Sequence, residues 1–155
     1  MHNIHVIIGR FDDLNARATL VSPSSLISLP HGMGLVPVND NFYRAKCHGN
    51  DAPSVIDTFA FLTPEFLAWL TLASKETRLC YCETDYFGGA GGQGAVVFDN
   101  GACIFGPEFR EDGPINHALS IMVIDSSDND EDQFQMLDLG KYRSSEQWLK
   151  STGTA

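Results

Sequence analysis

The segment E83-T-D-Y-F-G-G-A-G-G-Q-G-A-V-V-F98 concentrates the candidate chemistry of this chain. It holds two carboxylates, Glu83 and Asp85, the adjacent aromatics Tyr86 and Phe87, and Gln93 set among five glycines. In an extended strand, residues two apart share a face, which puts Tyr81, Glu83 and Asp85 on one side and Cys80, Cys82, Thr84 and Tyr86 on the other. Carboxylates spaced this way stand roughly 7 Å apart, wide for sharing a proton and suited to a cation, a basic side chain or a water between them. One reading is acid/base catalysis by Glu83 and Asp85, with His31 or His117 as a partner. The other is recognition: a hairpin tip whose glycines accept positive φ without steric cost, carrying aromatics ringed by carboxylates.

Other chemistries fail on spacing. G89-A-G-G-Q-G94 spells the dinucleotide fingerprint G-x-G-x-x-G, but A95-V-V-F98 is short, β-branched and bounded by D-N-G, so no helix opens toward a pyrophosphate. No Lys-Ser/Thr pair follows, which removes a Walker loop. Cys47, His48, Cys80, Cys82 and Cys103 are the right types for zinc, yet C80-Y-C82 is C-x-C on a strand, and the cysteines read better as small buried hydrophobes. D128-N-D-E-D132 alternates like a calcium loop but has Gln133 where the loop needs glycine and Leu139 where it needs glutamate. The histidines at 2, 5, 31, 48 and 117 form no H-x₃-H pair. No metal and no cofactor is expected.

The elements that must position these residues follow from pattern. Short apolar runs broken by Pro, Gly and Asn (I4-H-V-I-I8, A18-T-L-V21, L26-I-S-L29, G34-L-V-P-V38, V55-I-D-T-F-A-F-L62) predict strands and turns over the first 60 residues. T63-P-E-F-L-A-W-L-T-L-A-S74 predicts a helix capped by Thr63 with Pro64 at its first position. Strand pattern returns in L79-C-Y-C-E-T-D-Y86, A95-V-V-F98 and A102-C-I-F105, the last two joined through a D99-N-G101 turn. G113-P-I-N-H-A-L-S-I-M122 predicts a second helix, and S144-S-E-Q147 opens a short third one carrying Trp148 and Leu149. The expectation is one α+β domain, a mainly antiparallel sheet with two or three helices packed on it.

The chain has 155 residues, 43% of them hydrophobic, and a net charge of −10, enough for one ordinary core. Between Glu108 and Asp138 nine acidic residues face Arg110 alone. Such a field repels phosphate backbones and attracts basic protein surfaces, so nucleic acid is not an expected partner. No apolar run is long enough for a membrane span, and the N-terminal residues do not read as an export signal; a cytoplasmic protein with reduced thiols is expected.

Three blocks, E83-T-D-Y-F-G-G-x-G-x-Q93, G113-P-I-N-H-A-L119 and D132-Q-F-x-x-L-x-L-G-K-Y-R143 followed by Trp148, resemble segments of small bacterial proteins of the sort encoded beside secreted toxins as cognate immunity proteins. The resemblance covers about the second half of the chain. It implies a protein that neutralises a toxin domain with a basic surface by direct contact and needs no catalytic centre. The residues expected at that contact are Glu83, Asp85, Tyr86, Phe87 and Gln93, together with Asp128, Asp130 and Asp132 of the acidic run.

Overall fold

In the computed structural model, residues 2–47, 53–88, 90–122 and 133–152 are described. The elements in chain order are β1 (His5–Arg10), α1 (Phe11–Asn15), α2 (Ala18–Val21), β2 (Ile27–Ser28), β3 (Met33–Pro37), α3 (Asp40–Lys46), α4 (Pro64–Ala73), β4 (Arg78–Phe87), β5 (Ala90–Asp99), β6 (Ala102–Arg110), α5 (Pro114–Met122), α6 (Gln133–Met136) and α7 (Ser145–Lys150). The six strands form one sheet in the order β2-β3-β1-β4-β5-β6, every neighbouring pair antiparallel. The α+β expectation is met, and helices cover both faces of the sheet.

Strand alternation sorts the core in two. Val6, Ile8, Leu35, Cys80, Cys82, Ala95 and Val97 face α5, α6 and α7, and are sealed by Ile115, Ala118, Leu119, Leu137, Leu139 and Trp148. Ile7, Val36, Leu79, Tyr81, Val96 and Phe98 face the opposite way, against Leu14, Phe42, Phe59, Leu62, Phe66 and Leu70. A sheet buried on both faces loses the polar-out alternation of a one-sided sheet, which is why V6-I-I8 reads as a continuous apolar run.

Local signals account for the helix ends. Thr63 Oγ1 accepts from Phe66 N at 3.2 Å with Pro64 opening α4, and Phe66 and Leu70 are fully buried, each worth about 2 to 3 kcal/mol of transfer free energy. Ser144 Oγ accepts from Gln147 N at 3.2 Å, and Gln147 Oε1 returns the contact by accepting from Arg143 N at 2.7 Å. The β5–β6 hairpin turns at Asn100 and Gly101, both at positive φ as the D-N-G signal requires.

Three expectations need correction. A18-T-L-V21 is a helical turn, because four residues are too few for period to separate strand from helix; it follows α1, and α3 is a further helix that the first 60 residues were not expected to hold. V55–L62 is not a strand but a folded-over segment of bends and turns, closed by Val55 N donating to Leu62 O at 2.8 Å. The glycine-rich stretch is not a long tip: Gly91, Gly92 and Gly94 are ladder residues of β5 opposite Tyr86, Asp85 and Glu83. Their missing side chains make room. A Cβ on Gly94 would stand 2.4 Å from Phe59 Cζ and 2.6 Å from Phe109 Cδ2, so two aromatic rings occupy the space above the strand.

Candidate functional site

Around β4 the expected site residues separate. Glu83 is buried at 2% exposure on the α3–α4 face, and its carboxylate accepts from Ala60 N (2.6 Å), Phe61 N (3.0 Å) and Tyr81 Oη (2.6 Å). Burial raises its pKa, against the lowering effect of those donors. The carboxylate is thus a clasp that ties the 53–62 segment to β4, supplying acceptors that a strand would otherwise provide. It is not offered at the surface as expected: alternation fixes which side a residue faces but not what covers that side. Asp85 and Phe87, on the same side by alternation, lie beyond the cover; Asp85 is exposed, and Phe87 is 74% exposed at the hairpin end.

The acid/base partners proposed from sequence do not gather at this point. His31 is exposed in a tight turn at positive φ, and His117 stacks on Phe105 with ring centroids 4.3 Å apart. A histidine that was not singled out is nearer: His5 of β1 pairs across the ladder with Glu83 and packs edge-on against Phe61. Burial holds its pKa down at about 4, opposed by the charges of Asp85 and Asp40. A polar residue inside the apolar run I4-H-V-I-I8 was the available signal. Because the folded pKa lies below the ordinary 6.5, the contribution of His5 to stability is complete above pH 6.5 and is lost as pH falls through about 4. Denaturant titrations of the wild type and His5→Gln should diverge over that window by at most about 3 kcal/mol, with the wild type gaining more as pH rises.

On the opposite face, Tyr86 and Gln93 do come together. They line a cavity of about 450 Å³ with His2, Thr84, Asp112, Gly113, Asn116 and Phe134. Gln93 Nε2 donates to Tyr86 Oη at 3.1 Å, Gln93 Oε1 accepts from Ile115 N at 2.8 Å at the start of α5, and Tyr86 Oη donates to Glu111 O. His2 Nδ1 and Thr84 Oγ1 are 2.7 Å apart, while Asn116 Oδ1 accepts from Phe134 N at 2.9 Å. All three blocks quoted above contribute to this wall. Thr84, Asn116 and Phe134 lie inside those blocks with no signal that sets them apart, and Asp112 and His2 carry no local signal either.

The cysteines divide. Cys47, Cys80 and Cys82 are buried, as small hydrophobes should be, but Cys103 is exposed on the edge strand, where alternation within an apolar hairpin misled. Cys80 Sγ and Cys82 Sγ lie 3.1 Å apart in the interior, and the Cys80 thiol is pushed far up by its neighbour's hydrogen bond and by burial. No group of metal-ligating side chains forms among the described residues. Asp128, Asp130 and Asp132 lie outside the described residues, as does His48. No described helix is long and apolar enough to cross a membrane. Comparison of the chain with family models, curated proteins and solved structures finds no match.

Proposed function

We propose that this chain is a cytoplasmic protein-binding module that works by direct contact, the role implied by its resemblance to immunity proteins of toxin–immunity pairs. The observation that carries the reading is Phe87, an aromatic left 74% exposed at the end of the β4–β5 hairpin beside the exposed Asp85. Burying such a ring against a partner is favourable, and a neighbouring carboxylate rewards a basic surface. The net charge of −10 would speed encounter with a basic toxin domain, with Asp128, Asp130 and Asp132 contributing charge to that field.

Contact through this end of the sheet does not require Glu83, whose carboxylate is committed to internal donors. That commitment also leaves the acid/base reading with one accessible carboxylate, Asp85, where it asked for two. Phe87→Ala and Asp85→Lys should each weaken partner binding by more than about 2 kcal/mol with the melting temperature unchanged. Calorimetric titration against the partner, beside thermal scans of each variant, checks both halves. Full-affinity binding by both variants would remove this surface from the contact.

A further inference from the structure

The cavity between β4, β5, α5 and α6 has a composition that selects among ligands. Its volume of about 450 Å³ lies in the range of small-molecule and side-chain pockets. Among the described residues no lysine or arginine lines it, and Asp112 at its rim is exposed and has no hydrogen-bond or ion-pair partner. Phosphate and carboxylate ligands would meet the Asp112 charge at the rim, with Arg143 acting from the His2 side. The walls are aromatic as well: Phe134, Tyr86 and the ring of His2, which packs edge-on to Phe134 with centroids 5.6 Å apart. Burial lowers the pKa of His2, which keeps that wall from gaining positive charge.

Most of the remaining polar groups are already satisfied by each other. Gln93 is held at both ends, Tyr86 Oη both donates and accepts, and Thr84 Oγ1 accepts from Ile4 N at 3.0 Å besides contacting His2. What is left is the exposed Asp112 carboxylate at the rim beside aromatic walls, the buried Nε2 of His2, which has no hydrogen-bond partner among the described residues, and the Asn116 amide nitrogen, a donor that suits a peptide carbonyl. A planar, weakly hydrated cation with several donors fits this combination better than a compact ammonium, because it stacks on rings while its N–H fork meets a carboxylate.

We propose that this cavity is the receptor for an arginine side chain of the protein partner, with the guanidinium over Phe134 and Tyr86 and paired with Asp112. The proposal rests on the binding-module reading but concerns the sheet face opposite Asp85 and Phe87, so each can fail alone. The test uses N-acetyl-arginine amide as the probe, titrated into the full chain and followed by backbone amide NMR, with N-acetyl-lysine amide and N-acetyl-norleucine amide alongside. The amides of Thr84, Tyr86, Gly113 and Asn116 should shift with the arginine probe, which should bind at least about fivefold more tightly than either of the others.

Asp112→Asn, at an exposed position where folding is not at stake, should weaken the arginine probe by about fivefold or more while Thr84 and Asn116 keep their free-state shifts. Three results overturn the proposal: no movement of these amides, equal affinity for the lysine or norleucine probe, or indifference to Asp112→Asn. None of them bears on capture of a partner through Phe87. Conversely, loss of the Phe87 surface as a contact leaves the arginine titration standing as measured.

Discussion

Glu83→Ala is expected to destabilise the protein by about 3 to 5 kcal/mol, a large fraction of what holds a domain of this size. The carboxylate leaves behind three donors, the main-chain N–H groups of Ala60 and Phe61 and the hydroxyl of Tyr81, the last on a side chain with no exposed surface. Each buried donor without an acceptor costs about 1 to 3 kcal/mol, and water entering the vacated space recovers part of that. Glu83→Gln should cost less, since one oxygen still accepts, and Glu83→Lys should prevent folding by placing a charge where burial already disfavours one. Chemical denaturation with the Tyr81→Phe partner completes a double-mutant cycle. A coupling above about 1 kcal/mol is expected for a shared buried hydrogen bond, and additive losses would mean the clasp is not formed.

Gly91→Ala and Gly94→Ala are each expected to cost about 2 to 3 kcal/mol, whereas Gly88→Ala costs about 1. At Gly91, φ is +139° and a Cβ would fall 1.9 Å from the Asp85 carbonyl oxygen, so the facing strand itself would have to move. At Gly94 the obstruction is the rings of Phe59 and Phe109, which meet edge to face with centroids 5.4 Å apart, Phe59 in turn stacking on Tyr81 at 6.5 Å. Gly88 also has positive φ, but nothing lies within 4 Å, leaving only the backbone preference to overcome. Thermal scans of the three variants separate a paired strand from a loose tip. A loose tip would give three equally small losses.

These two predictions fall where the sequence was least legible, and for a common reason. A cap is local: Thr63 before Pro64 and Ser144 before Gln147 announce their helices within four residues, and D99-N-G101 announces its turn. A cover is not. Glu83 and Asp85 look alike along β4, and what distinguishes them is the 53–62 segment folding over one and stopping short of the other. Glycine carries the same ambiguity, since a residue without a side chain serves a turn and a close approach equally well. Only the packing of Phe59 and Phe109, distant in sequence, decides which of the two applies.

The cavity was half legible. Tyr86 and Gln93 stood out as polar groups that a bare connector does not need, and they do share a wall with Thr84, Asn116 and Phe134. The sequence groups Tyr86 and Phe87 in one patch with Asp85, but strand alternation sends Tyr86 to the cavity and Phe87 to the other side. One short segment therefore presents two separate surfaces at the same end of the sheet.

The exposed hairpin end is the proposed protein contact. Its most direct test is affinity capture of the tagged chain from the lysate and secreted fraction of its native host, beside the Asp85→Lys/Phe87→Ala double variant, read by quantitative mass spectrometry. One stoichiometric partner with a basic surface is expected, retained by the wild type and lost with the variant. A partner retained equally by the variant, or none above background, would contradict it.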